Sequence, residues 1–212
     1  VSTVTDDAEG DVTGTTDASG IDDAAILAAM ARQTGEIQQV PTAVSAIKVN
    51  GQRAYARVRA GENVVLQPRA VTVSRFAATE TRRHDEVVDV DVEVTCSSGT
   101  YVRALARDVG ADLGVGGHLT ALRRIRIGPF DLTAACPDIF ADDAVAPAPM
   151  TMAEAARLSF PVVEVTDDQE AAIRVGRRVD MTVPADVTAM IAGTGEMLAL
   201  YRPDGERRGQ SR

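Results

Sequence analysis

Between residues 88 and 94 the chain alternates without a break: Val88, Asp89, Val90, Asp91, Val92, Glu93, Val94. A period of two sends the valines to one face of an extended chain and the acids to the other. The segment 86–96 is therefore predicted as a strand with one face buried and one in water. It needs a partner, and 67–77 is the nearest run of strand-forming residues. The polar stretch 81–85 reads as the loop of an antiparallel pair. His84 in that loop is given no role.

Ser98-Gly99-Thr100 then turns the chain, with Thr100 or Ser98 placed to cap a helix. Val102, Leu105, Ala106, Val109 and Leu113 follow at helical spacing and are expected to face the core. Tyr101 and Arg103 would emerge at the end of the strand, where a pocket can form. An arginine there can hold a carboxylate bidentately and keep it ionised. A tyrosine can stack on a base and present its hydroxyl. From pattern alone, a surface arginine and a tyrosine at the core edge are the favoured reading. Gly114-Val-Gly-Gly117 follows a helix and lacks the dinucleotide-binding spacing, so it reads as a tight connection. His118 reads as a structural histidine and 119–124 as a turn of helix. Arg123, Arg124 and Arg126 then offer phosphate contacts or ion pairs, and Gly128-Pro129 breaks the strand that follows.

Upstream, residues 1–20 are polar and acidic and read as a disordered lead-in as readily as an ordered one. Asp22 can cap a helix over 24–34 whose apolar face is Ile26, Leu27, Met30 and Ala31, with Gly35 at its end. Residues 44–49 read as a strand, Asn50-Gly51 as a turn and 53–60 as a short helix. That helix carries Arg53 and Arg57 on one face beside Tyr55 and Arg59. Downstream, 137–150 reads as linker. Residues 151–212 read as a second, smaller unit, with a helix at 167–175 capped by Thr166 and a hairpin of 187–192 with 197–202.

Charge sharpens this reading. The chain of 212 residues has a net charge of −9, which argues at first against nucleic acid. Yet residues 1–36 hold eight acids against Arg32 alone, while 48–83 hold eight bases against Glu62 and Glu80. Contact charges act within a Debye length of roughly 8–10 Å, so a basic middle can bind phosphate inside an acidic whole. Lys48 is the one lysine, which reads as codon bias. Cys96 and Cys136 fit no metal or redox spacing and suit a reducing cytosol. No apolar run approaches 18 residues and no signal peptide is seen, so no membrane partner is expected. Val1 in a polar stretch suggests that the sequence begins inside a longer protein.

The run Ser98-Gly-Thr-Tyr-Val-Arg-Ala-Leu-Ala-Arg-Asp-Val-Gly110, followed by Leu113-Gly-Val-Gly-Gly-His-Leu-Thr-Ala-Leu-Arg-Arg124, resembles the bacterial tRNA pseudouridine synthase B family. So does Val40-Pro-Thr-Ala-Val-Ser-Ala-Ile-Lys-Val-Asn-Gly-Gln-Arg-Ala-Tyr-Ala-Arg-Val-Arg-Ala-Gly61, and so does Thr5-Asp-Asp-Ala-Glu-Gly10. The three stretches occur in the family's order. The resemblance implies an α+β fold of pseudouridine-synthase type, with a mixed, mainly antiparallel sheet, flanking helices and a sheet incomplete at the N-terminus. It implies a partial catalytic domain over 1–136, a thumb at about 44–63 that grips RNA, and a small α/β or PUA-like RNA-binding unit over 151–212.

The reaction it implies is conversion of a T-loop uridine of tRNA to pseudouridine, without metal or organic cofactor, by a cytoplasmic monomer acting on the T-arm. The target base leaves its stack, an aspartate attacks the nucleotide, and the base detaches, rotates and rejoins through carbon. By motif, Arg103 is the arginine that pairs with that aspartate, and Tyr101 and Leu122 line the uracil pocket. Lys48, Arg53, Tyr55, Arg57, Arg59, Arg123 and Arg124 would contact RNA. The family's aspartate motif, G-T-L-D-P-x-A-T-G, does not occur in residues 1–212, nor does its K-x-Y segment.

Three readings stay open: an enzyme whose sequence lacks its start, a non-catalytic tRNA-binding protein of that fold, and a generic α+β interaction module. In-frame DNA encoding G-T-L-D-P just upstream would support the first, and a stop codon the second. Purified residues 1–212 are expected to form no pseudouridine in tRNA; measurable turnover by this polypeptide overturns that expectation.

Overall fold

The computed structural model describes residues 1–42, 48–49, 52–53, 66–133, 135, 148–203 and 210–211. They divide into two compact units, residues 1–123 and 124–212.

The first unit is organised on a sheet of β3 (Gly35–Gln39), β6 (Arg69–His84) and β7 (Val87–Cys96), with β6 in the middle and both pairings antiparallel. The alternating segment is indeed a strand. The expected loop at 81–85 is not one: β6 runs on to His84, and the chain turns at Asp85, which is left-handed with φ 52°. Charge pairing across the strands explains the extension. Arg82 makes a bidentate pair with Asp91 at 2.8 and 2.7 Å, Arg75 meets Glu93 at 3.0 Å, and His84 Nε2 lies 3.4 Å from Asp89. Polar residues that look like a loop in one strand become partners once the other lies beside them. The hairpin end is also held from outside, by Ala18 N donating to Glu86 O at 2.9 Å and by Arg83 on Asp23 at 2.5 Å.

Helix α1 (Asp23–Arg32) starts where its sequence predicts, with Asp22 accepting from Ala25 N at 2.7 Å. It buries Ile26, Ala29 and Met30 together with Val71 and Val73 of the sheet. Leu27, expected on the buried face, is 53% exposed. Because α1 packs on β6, the valines of β7 are half-buried and not fully covered. The polar N-terminus is ordered: β1 (Ser2–Thr3) pairs with β2 (Val12–Gly14).

β4 (Lys48–Val49) pairs with β5 (Gln52–Arg53), so the hairpin expected around residues 50–51 is present in its strands. Arg53 therefore lies in a strand and not at the start of a helix; the rest of the expected helix, with Tyr55, Arg57 and Arg59, lies outside the described residues. Helix α2 (Val102–Asp112) follows β7. It buries Ala104, Leu105 and Gly110, whereas Val102, Ala106, Val109 and Leu113 are half-buried. The reason is that α2 is covered on more than one side, as described below.

In the second unit, β8 (Arg126–Ile127) and β9 (Phe130–Asp131) pair across Gly128-Pro129. A four-stranded sheet follows in the order β10 (Val162–Glu164), β11 (Thr188–Ile191), β12 (Met197–Arg202), β13 (Gln210–Ser211). The predicted hairpin is β11–β12, and the predicted helix is α4 (Asp167–Arg174), with Thr166 and Gln169 forming a capping box. Helix α3 (Met152–Ser159), with its own Thr151–Glu154 box, and β10, parallel to β11, were not anticipated. Tyr201 and Met190, both fully buried, centre the core with Val165, Ile173 and Val179. Among the described residues no helix is long and apolar enough to cross a membrane. Tyr201→Ala removes the largest wholly buried side chain of this core and is expected to cost about 3–5 kcal/mol, read as a lower midpoint in denaturant unfolding followed by probes in residues 124–212.

Candidate active site

Arg103 and Arg107 stand four residues apart on α2 and so share a face. The turn after β1 lies against that face and presents two consecutive carboxylates. Asp7 Oδ2 meets Arg103 Nη1 at 2.6 Å, and Asp6 Oδ2 meets Arg107 Nη1 at 3.2 Å. Adjacent residues of an extended chain point to opposite sides, so both carboxylates reach one helix only because Asp6 is left-handed, with φ 58°. Aspartate is among the few residues that tolerate this. The turn is then pinned by backbone: Leu119 N donates to Asp6 O and Ala8 N to Leu119 O, both at 3.0 Å.

The glycine loop after α2 makes this possible. A Cβ on Gly110 would lie 2.2 Å from the Gly116 carbonyl carbon, and one on Gly117 would lie 2.3 Å from Ala106 O. The loop therefore lies flat on the helix, as a tight connection must, and delivers residues 119–122 beside Asp7. Leu119 pairs with Asp7 as a parallel bridge, so the helical turn expected over 119–124 does not form. His118 is held through Nδ1 at 3.0 Å from Val1 O, as a structural histidine would be.

Asp7, Ala8, Glu9, Arg103, Leu119, Thr120, Ala121 and Leu122 line an open cavity of about 320 Å³. Arg103 and Leu122 thus come together, while Tyr101 is not among the lining residues. Tyr101 occupies the N-cap of α2 without a side-chain cap, so neither Ser98 nor Thr100 plays that part. Gln39 does instead: its amide accepts from Tyr101 N at 2.8 Å and donates to Tyr101 O at 3.1 Å. Arg123, Arg124 and Arg126 are exposed, and Leu122 and Ile125 beside them are 58% and 62% exposed. Lys48 and Arg53 lie opposite each other in β4 and β5. Among the described residues no three His, Cys, Asp or Glu side chains gather as a metal site would require.

The two aspartates are electrostatic opposites. Burial pushes the Asp7 carboxyl up, but hydrogen bonds from the Thr5 hydroxyl, Arg103 and the Glu9 amide outweigh it and hold it below the usual 3.8. For Asp6 burial wins: Arg107 does not offset it, Asp108 adds repulsion, and the carboxyl is pushed up. Arg107 also loses by burial, yet Asp108 and Asp6 keep it more firmly protonated than usual. Asp7 was missed as a site residue although its motif, Thr5-Asp-Asp-Ala-Glu-Gly10, was legible. Nothing in spacing links it to an arginine 96 residues away.

Residues 1–102 match the model of the TruB family pseudouridylate synthase N-terminal domain, and residues 103–139 match the tRNA pseudouridylate synthase B C-terminal domain. Over 212 residues the chain is 82% identical to tRNA pseudouridine synthase B of Cutibacterium acnes, covering 100% of this chain and 72% of that protein. It is 49% identical over 208 residues to the protein of the same name from Corynebacterium aurimucosum, covering 97% and 69%. Among solved structures, a chain of a Cbf5-Nop10-Gar1 complex shares the fold with a TM-score of 0.60 at 23% identity, over 91% of this chain and 61% of that one. A chain of an H/ACA RNP bound to a substrate RNA containing 2′-deoxyuridine gives 0.58 at 20% identity, over 95% and 62%.

Replacing Asp7 by Asn is expected to destabilise the first unit at pH 7 by on the order of 1–3 kcal/mol, the range for hydrogen bonds to charged groups. A depressed carboxyl contributes stability that is fully present above its unfolded value of 3.8 and is lost as pH falls through its lower folded value. The gap between wild type and Asp7→Asn in denaturant unfolding should therefore be constant from pH 7 to about 5 and close below 3.8.

Proposed function

Because the chain belongs to the TruB family of pseudouridylate synthases, we propose that it serves the isomerisation of a T-loop uridine of tRNA, uridine-55 in the family, to pseudouridine. The observation that carries this reading is the cavity beside Asp7. Its base is an arginine held at Nη1 by Asp7 Oδ2 and by Thr5 O at 3.1 Å, and one wall is the segment 119–122.

The reaction breaks the bond from uracil nitrogen to ribose C1′ and makes one from uracil carbon to the same C1′; the carbon loses its proton and the freed nitrogen gains one, so the product is an isomer. Nothing is oxidised, so the protein's work is to extract the base, hold it while it turns, and orient an attacking carboxylate. Arg103 orients that carboxylate and keeps it ionised, since a guanidinium stays charged and presents its donors in a fixed fork. Asp7 and Thr5 hold the guanidinium in place. Leu122 and its neighbours offer an apolar wall on which the base can rest, and Tyr101 sits one residue before the helix that carries Arg103.

The attacking carboxylate belongs to the G-T-L-D-P-x-A-T-G motif, which residues 1–212 do not contain. The polypeptide 1–212 therefore binds tRNA without converting it. Lys48, Arg53, Tyr55, Arg57 and Arg59 grip the T-arm, Arg123 and Arg124 contact its phosphates, and the unit after residue 150 adds further RNA contacts. The protein acts as a monomer in the cytoplasm and needs no metal or organic cofactor.

Salt-titrated tRNA binding tests this reading. Affinity should fall steeply as salt rises, because each phosphate contact releases counterions. Converting Arg123, Arg124 and Arg126 to Gln should weaken binding to all tRNAs alike and flatten the log–log slope by about 2, at roughly 0.7–0.9 per contact. A wild-type response independent of salt overturns the RNA-binding reading.

A further inference from the structure

Arg107 takes no part in lining the cavity, yet its guanidinium joins three segments. Nη1 reaches Asp6 at 3.2 Å, Nε reaches Asp108 at 2.8 Å, and Nη2 donates to Val40 O at 2.7 Å. Asp6 belongs to the turn after β1, Asp108 to α2 itself, and Val40 follows the end of β3. A lysine has one nitrogen and cannot span three acceptors so arranged, whereas a planar fork can.

The cluster is part-buried: the side chains of Arg107 and Asp6 are 28% and 12% exposed. That matters because a charge withdrawn from water is held by its partners and not by solvent. The position of Asp6 therefore depends on Arg107. Asp7 follows Asp6 directly, and the carbonyl of Asp6 is where Leu119 N is anchored. Moving Asp6 moves both the carboxylate on Arg103 and the wall that begins at Leu119. On the other side, Val40 O ties the same guanidinium to the chain entering the 43–65 segment. Gln39 reinforces that tie through both of its hydrogen bonds to Tyr101.

We propose that Arg107 is a positioning residue of the active site: by bridging Asp6, Asp108 and Val40 O it sets the register of the Arg103–Asp7 pair and of the Leu119 wall against α2. This assignment of a role in the reaction rests on the function proposed above. It does not depend on any contact between Arg107 and the substrate.

Amide hydrogen exchange of residues 1–212 tests it without RNA. In Arg107→Lys the amides of Ala8 and Leu119 should lose protection by at least about tenfold, a local opening, while amides in the centre of β6 and β7 keep theirs. The Asp7 carboxyl, followed by carbon NMR, should titrate closer to its ordinary value of 3.8 than in the wild type. Asp6→Asn leaves Arg107 its links to Asp108 and Val40 and should reproduce the local loss; it decides the matter if Arg107→Lys fails to fold. Unchanged protection at Ala8 and Leu119, or a loss there no greater than in β6 and β7, overturns the proposal, since a general brace would loosen every amide together. Absence of tRNA binding by the wild type would sink the proposed function and leave this exchange measurement standing.

Discussion

Two carboxylates on neighbouring residues, both drawn partly out of water, repel each other and lose solvation. The turn that carries Asp6 and Asp7 is tenable because two arginines one helical turn apart receive them. The pairing is unequal: Asp7 gains enough hydrogen bonds to stay readily ionised, while Asp6 is held against the cost of its burial. A left-handed Asp6 adds its own cost, of order 1–3 kcal/mol for a sparsely populated backbone conformation. Such strain persists only where the surroundings over-determine it, and here they do. Backbone hydrogen bonds to Leu119 on one side and guanidinium contacts on the other leave the turn no alternative.

The rest of the first unit serves that arrangement. Helix α2 must begin at a fixed point for Arg103 to lie over the turn, and Gln39, from the end of a different strand, provides the capping contacts that no residue next to the helix provides. The glycines at 110 and 117 let the returning loop lie on the helix backbone, which places residues 119–122 within reach of Asp7. A side chain at either would push that wall away. The cavity is thus made by backbone approach, and its polar floor by side chains that converge from the turn after β1 and from α2.

Much of the fold was legible in the sequence because the signals are local. The alternation of valine and acid, the Asp22 and Thr166 caps, the glycine loop and the β11–β12 hairpin all depend on neighbours a few residues apart. The errors share one cause. Residues 81–84 looked like a loop because most of their partners are distant in sequence: Arg82 and His84 meet Asp91 and Asp89 of β7, and Arg83 meets Asp23 of α1. The N-terminal stretch read as disordered as readily as ordered, because the arginines of α2 that receive Asp6 and Asp7 are about a hundred residues away. Leu27 and the β7 valines were judged by periodicity alone, which cannot tell how far a neighbouring helix reaches. In the site, the motif around Asp7 and the arginine at 103 were each visible, yet their pairing was not.

By itself, then, the sequence determined the β6–β7 pair, the helices that begin near Asp22, Thr100 and Thr166, and the family. These follow from short-range spacing and from motifs, which survive in one dimension. Only the tertiary structure decided that Asp7 serves Arg103, that Asp6 and Val40 share Arg107, and that Gln39 caps α2. Each of these joins residues more than sixty positions apart. An ion pair is fixed by distance and by exclusion of water, and neither exists until the chain has folded.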